Sequence, residues 1–208
     1  PTRSVAEFTL AITLSLIKKI PQAHYDLKNS VWKKQTGVLF KEKILGIIGL
    51  GRIGKTVAKL FKALGLKIIA YDLFPDKKWA NVNNISLVDF DDVLRSSDIL
   101  TIHIPKSETT IINSKALAKM KKKSFLINIS RGGVVNETDL YNALKEGKIA
   151  GAATDVYSEE PYYGNFTELE NIILTPHIGS YAEEGKLGME VDAVKNIVNY
   201  LNKSLWKF

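Results

Sequence analysis

Three observations predict an α/β fold built on a doubly wound parallel sheet with helices on both faces. An apolar run, Lys43-Ile44-Leu45-Gly46-Ile47-Ile48, breaks at Gly49-x-Gly51-x-x-Gly54 and passes into apolar positions at helical spacing, Ile53, Val57, Leu60, Phe61 and Leu64. A second apolar run, Leu66 to Tyr71, follows at once and ends at Asp72. Short apolar runs then keep alternating with helical patterns along the chain, which is how a sheet buried on both faces is written in sequence.

Composition sets the bounds. The chain has 208 residues, 45% hydrophobic and 25% charged, which is ordinary globular composition and enough to bury a full core, in one large or two modest domains. The absence of Cys rules out disulfides and thiolate metal sites and suits a reducing cytoplasm, the expected location. No apolar run approaches a membrane span. Phe8 to Ile17 is preceded by Glu7 and followed by no small-residue cleavage site, so it reads as a buried helix rather than a signal core. The net charge of +7 suits anionic ligands. Its lysines are scattered or sit in short runs such as Lys121-Lys122-Lys123 without interleaved aromatics, so neither nucleic acid nor membrane is expected as a partner.

Taken in order, Ser4 with Glu7 is a capping-box pattern, and the helix it opens, about 4–20, runs apolar through Leu10, Leu14 and Ile17 to a stop before Pro21. The chain starts at Pro1 and enters this helix almost at once, which suggests that it is cut from something longer. A polar link follows. Its His24 lacks a second ligand nearby and reads as a surface residue, while Trp32 is either an interface anchor or a local packing plug.

The glycine turn is strand, tight turn, helix. Gly49 supplies the backbone angles, Gly51 lets a pyrophosphate approach bare backbone, and Gly54 lets the helix pack against the strand. A phosphate would sit at the N-terminus of the helix that Arg52 and Ile53 open, where unpaired N–H groups and the dipole favour negative charge. Asp72 stands about 20 residues beyond the glycines, where a carboxylate accepts hydrogen bonds from the adenine-ribose hydroxyls and repels a 2′-phosphate. Together these features are the fingerprint of a Rossmann-type sheet that binds NAD in preference to NADP. Lys77 and Lys78 do not directly follow Asp72, where a residue pairing with that phosphate would stand.

Further on, Asp89 to Ser96 makes a short helix, Asp98 to Ile104 a strand, Asn113 to Met120 a helix and Ser124 to Ile129 a strand. Asn136 caps a helix ending near Gly147. Ile149 to Val156 and Asn171 to Leu174 supply further strands, and a long helix covers about 182–202. Asp89, Asp91 and Asp92 are spaced like a metal cluster, but acids opening a short helix fit its dipole and no His joins them, so no metal is expected.

Ligands of such sheets gather at the carboxyl ends of the strands. Those ends carry His103-Ile104-Pro105, Ser130-Arg131-Gly132-Gly133, Asp155 with Glu159-Glu160-Pro161 after it, and Thr175-Pro176-His177-Ile178-Gly179. An Arg fork grips an organic carboxylate bidentately, which suits Arg131. An imidazole, with its ordinary pKa of about 6.5, takes a proton from a hydroxyl as hydride leaves the carbon, which suits His177. A nearby carboxylate favours the imidazolium and fixes the ring, a task that chemistry alone leaves open between Glu159 and Glu160. His103 is either a cofactor-loop residue or a buried histidine.

These motifs, with Arg3-Ser4-Val5-Ala6-Glu7 before them and Asp155-Val156-Tyr157 among them, resemble the coenzyme-binding domain of the D-isomer-specific 2-hydroxyacid dehydrogenases over nearly the whole chain. The resemblance implies a catalytic set of Arg131, Glu160 and His177, with Glu160 preferred by its place before Pro161. It implies that Asp155 meets the nicotinamide amide, and a cofactor site of Gly49, Gly51, Arg52, Ile53, Gly54, Asp72, His103, Pro105, Asp155 and Gly179. The implied activity is hydride transfer between NAD(H) and a small D-2-hydroxy acid/2-oxo acid pair. Tyr181-Ala182-Glu183-Glu184 is most similar to phosphoglycerate dehydrogenase relatives, which makes 3-phosphoglycerate one candidate substrate. A homodimer through the first helix and the Trp32 link is implied as well. The family's substrate domain is largely absent; the first and last helices would join it, and this chain alone is expected to be inactive. The alternative is an NAD-sensing, non-catalytic binding protein such as the family's co-repressor branch. Formate oxidation is disfavoured, because that relative uses Gln where Glu160 stands.

Overall fold

In a computed structural model that describes residues 2–106 and 109–205, the chain forms seven parallel strands in the order β3-β2-β1-β4-β5-β6-β7. These are β1 (Ile44–Ile48), β2 (Lys67–Tyr71), β3 (Ser86–Leu87), β4 (Ile99–Ile102), β5 (Phe125–Asn128), β6 (Gly151–Thr154) and β7 (Ile172–Leu174). Each central strand is a short run buried on both sides, as a parallel sheet requires. The helices are α1 (Thr2–Ile17), α2 (Ile20–Lys28), α3 (Arg52–Ala63), α4 (Lys77–Val82), α5 (Phe90–Ser96), α6 (Ser114–Lys119), α7 (Glu137–Lys145) and α8 (Glu183–Leu205).

Two apolar cores flank the sheet. On one face α1 and α3 contribute Ile12, Leu16, Val57 and Phe61 against Leu45, Ile47, Ile68 and Ile127. On the other, α5, α6 and α7 contribute Val93, Leu117, Leu140 and Leu144 against Ile48, Leu100, Ile102 and Leu126. Strand β1 pairs with β2 on one side and β4 on the other, so the winding reverses beside β1. The crevice outside the strand ends at that switch point is where a ligand of this architecture lies.

Several local expectations are corrected. The first helix already begins at Thr2, so Ser4 and Glu7 do not form a capping box; Ser4 Oγ donates to the Gly179 carbonyl and Glu7 pairs with Arg3. Pro21 does not mark the end of helical structure. Lys19 takes a left-handed conformation at φ 55° and Pro21 then sits in the first turn of α2, where its missing N–H costs nothing. The supposed polar link is therefore partly helical and includes His24. Trp32 is 83% exposed, so it is no local packing plug; Tyr25, Leu27, Val31 and Leu39 are exposed along the same stretch. Helix α4, capped by Asp76 on the Trp79 N–H, and the two-residue β3 were not expected from the sequence. Among the described residues, no helix is long and apolar enough to cross a membrane.

Candidate active site

The glycine turn follows from sterics. Gly49 has φ +95°, and a Cβ there would lie 2.5 Å from the His103 carbonyl oxygen. At Gly54 a Cβ would lie 2.1 Å from the Gly49 carbonyl oxygen, so the first turn of α3 presses on the glycine turn itself more closely than on the strand. Gly51 is different: a Cβ would meet nothing within 4 Å, and the residue caps α3 with no side-chain bond to its leading N–H groups. Open space before uncapped donors fits the pyrophosphate of a dinucleotide.

Asp72 closes this cradle in a way the sequence did not reveal. Its Oδ2 accepts from the Leu50 N–H at 2.6 Å and its Oδ1 from the Phe74 N–H at 2.8 Å, so it ties the glycine turn to the end of β2. Each oxygen keeps a second acceptor position for a ribose hydroxyl. A cleft of about 420 Å³, lined by Tyr71, Asp72, Pro75, Lys77 and Asp89 among others, opens beside it. His103 is partly buried and adjoins the glycine turn. It lies at the end of β4 beside the glycine turn with its Nε2 2.9 Å from Thr101 Oγ1, and burial pushes the imidazole down to about 3, so it is neutral at ordinary pH. Pro105 is exposed at the same edge.

The second half of the site is built around Asp155, which is 1% exposed just past the end of β6. Its Oδ1 accepts from Thr175 Oγ1 at 2.6 Å and the Ile178 N–H at 2.8 Å, and its Oδ2 from the Gly179 N–H at 2.7 Å. These bonds gather the turn that holds His177 at φ 55°, a left-handed conformation uncommon outside glycine. His177 Nδ1 then meets Glu160 Oε2 at 2.8 Å, and Glu160 Oε1 accepts the Tyr157 N–H at 3.1 Å. Geometry thereby separates the two glutamates: Glu159 is exposed and has no such bond among the described residues. Asp155, which the family resemblance makes the partner of the nicotinamide amide, shapes the His177 turn.

The bond to His177, assisted by the Tyr157 N–H, holds the Glu160 carboxyl below its usual 4.5 although partial burial opposes this. A depressed folded value means that this contribution to stability is complete above pH 4.5 and is lost as pH falls through the folded value. The stability difference between the wild-type chain and Glu160→Gln, measured by denaturant unfolding from about pH 5 to about pH 3, where the carboxylate rather than the imidazole changes its charge, is therefore expected to shrink as the pH falls below 4.5. A difference that grows on acidification would contradict the assignment.

Arg131 is exposed; its Nη1 donates to the Ser130 carbonyl at 2.6 Å, and it has no carboxylate partner among the described residues. The loop that carries it is fixed from below, where buried Asn128 Oδ1 accepts from Ser130 Oγ at 2.8 Å. It is fixed from the side by Gly132, at which a Cβ would lie 1.7 Å from the Tyr157 carbonyl oxygen. That contact sets the Arg131 loop directly against the loop of Glu160. The structure thus assembles a guanidinium without a carboxylate partner among the described residues, a carboxylate-buttressed imidazole and a dinucleotide cradle along one sheet edge. The acidic trio near α5 is accounted for differently, since Asp91 pairs with Lys119 and Arg95.

Comparison with known proteins gives the family of this fold. The family described as D-isomer specific 2-hydroxyacid dehydrogenase, NAD binding domain, matches residues 10–179. A D-3-phosphoglycerate dehydrogenase of Archaeoglobus fulgidus is 42% identical over 204 residues, 95% of this chain and 39% of that protein. A glyoxylate reductase of Thermofilum pendens is 38% identical over 96% of this chain and 62% of its own length. Among solved structures, D-lactate dehydrogenase from Aquifex aeolicus complexed with NAD and lactic acid superposes with a TM-score of 0.90 at 28% identity, covering 99% of this chain and 68% of that one. The NAD-complexed D-isomer specific 2-hydroxyacid dehydrogenase of Lactobacillus delbrueckii gives 0.87 at 28% identity, over 97% of this chain and 67% of that one. The chain thus spans well under half the length of the phosphoglycerate dehydrogenases it matches. With the matched region running from the first helix to the turn after His177, the chain belongs to the D-isomer specific 2-hydroxyacid dehydrogenases and carries their NAD-binding domain.

Proposed function

We propose that this chain is the cofactor-binding and acid–base half of an enzyme that interconverts a small D-2-hydroxy acid and its 2-oxo acid. The observation that supports this most strongly is the His177–Glu160 pair at 2.8 Å, set on the sheet edge served by the glycine turn. Bound NAD would supply the hydride acceptor, held by Gly49 to Gly54 and Asp72. Arg131 would grip the substrate carboxylate through the guanidinium N–H groups that the Ser130 carbonyl leaves open. With Nδ1 committed to Glu160, His177 presents Nε2 to the substrate hydroxyl and takes its proton as hydride leaves the same carbon. Glu160 stabilises the imidazolium so formed, and in the reverse direction His177 returns the proton to the oxo group. The relatives' names, phosphoglycerate dehydrogenase and glyoxylate reductase, leave 3-phosphoglycerate as one candidate among small 2-hydroxy acids.

Two measurements in sequence test the two halves. In fluorescence titration NADH is expected to bind at least about tenfold more tightly than NADPH, roughly 1.4 kcal/mol, because Asp72 meets the 2′-phosphate as a like charge. A screen of 2-oxo acids with NADH then follows, in the longest natural polypeptide that carries this chain, and at least one short 2-oxo acid is expected to be reduced. Equal or reversed cofactor affinities would defeat the role of Asp72, and a blank screen with intact NADH binding would defeat the enzymatic reading.

A further inference from the structure

Tyr157 touches all three parts of the reacting unit. Its backbone N–H donates to Glu160 Oε1 at 3.1 Å, and its carbonyl oxygen is the surface against which Gly132 sets the Arg131 loop. Its single hydroxyl proton is shared between the Thr154 carbonyl at 3.2 Å and the Thr175 carbonyl at 3.0 Å. The Thr175 carbonyl also accepts the backbone N–H of His177 at 3.1 Å. The phenol therefore binds the same oxygen that closes the His177 turn. It also spans β6 and β7, whose ends carry Asp155 and His177.

The ring is 7% exposed and stacks on Tyr162 with centroids 4.3 Å apart. Packing of the ring alone would be met equally well by phenylalanine, so the hydroxyl bridge is the part that calls for a function. Burial, reinforced by the carboxylates of Asp155 and Glu160, pushes the phenol up to about 12, so it remains a donor at every working pH. The other groups facing it are the carbonyls already named and Tyr162, whose own hydroxyl accepts the Phe166 N–H and bridges no strands.

We propose that Tyr157 is a positioning residue for the reaction: its hydroxyl locks the ends of β6 and β7 together and so holds His177 in register with Glu160. The inference rests on the proposed acid–base role of His177, but its test does not require turnover. The chain holds three His residues, so the Nδ1–H proton of His177 can be identified in a proton NMR spectrum by its disappearance in His177→Ala. In Tyr157→Phe, which keeps the ring and its stack, this proton is expected to exchange with water at least about tenfold faster, while the amides of Ile127 and Ala153 keep their protection and NADH affinity stays within about twofold. Tyr162→Phe should leave the signal unchanged. Unaltered exchange in Tyr157→Phe, or equal acceleration in Tyr162→Phe, would overturn the proposal. A 2-oxo acid screen that fails would count against the enzymatic reading and leave this result standing.

Discussion

Replacing His177 by alanine is expected to lower kcat by about 10²- to 10⁴-fold, the usual worth of a positioned general acid–base, while NADH affinity changes by less than about twofold. The separation follows from where the two functions are built. The cofactor cradle is made by the end of β1, the start of α3 and Asp72 after β2, whereas His177 sits beyond β7 at the far side of the sheet. Among the described residues no hydrogen bond of the cradle passes through the imidazole, whose own partner is Glu160. Stability should fall little, since the side chain is 49% exposed and an exposed ion pair is worth well under about 1 kcal/mol. The loss should appear in kcat and in kcat/KM alike, because the proton is transferred only in the transition state. Stopped-flow reduction of the best 2-oxo acid alongside NADH titration checks this. Turnover kept within about threefold would remove His177 from the chemistry, and a parallel collapse of NADH binding would show that its turn supports the cradle instead.

The parts of the site that were legible in the sequence are those whose physical reasons are local. Gly49 and Gly54 are required by contacts within a few residues or by the adjoining strand end, and their spacing records that requirement. The acids and bases at the strand ends could be placed together because a parallel sheet puts all its carboxyl ends on one edge. What was hidden depends on partners far away in sequence. Asp155 shapes the His177 turn through donors more than twenty residues ahead, and Ser4 reaches Gly179 across the whole domain. Chemistry could not choose between Glu159 and Glu160, since the choice is made by the position of the Tyr157 N–H. Helix α4 and β3 leave no clear pattern in the sequence for a different reason: at six and two residues they carry too little periodicity to stand above a polar loop. Pro21 is ambiguous in sequence because proline stops a helix from within but is accommodated in the first turn of the next.

Asp155 joins the stability of the domain to the shape of the His177 turn, and Asp155→Ala is expected to destabilise the domain by about 2–4 kcal/mol. The carboxylate accepts from one buried N–H, one partly buried N–H and a hydroxyl, and alanine offers none of them an acceptor. A buried donor left unpaired costs about 1–3 kcal/mol, and the partly buried Ile178 N–H less, because water can reach it. For a domain of this size the thermal midpoint should drop by roughly 5–15 °C. Asparagine tests the same idea in finer detail: it restores one acceptor oxygen but turns an NH₂ group toward a donor, so it should recover only part of the loss. The bonds also hold His177 at a positive φ that costs on the order of 1 kcal/mol, a conformation the free turn would abandon. Turnover in Asp155→Ala should therefore fall further than the fraction of folded protein does, with both quantities measured on one preparation by thermal unfolding and by rate. A destabilisation below about 1 kcal/mol would mean that water replaces the carboxylate, and the His177 turn would then have to be held by the Ser4 and Thr175 contacts instead.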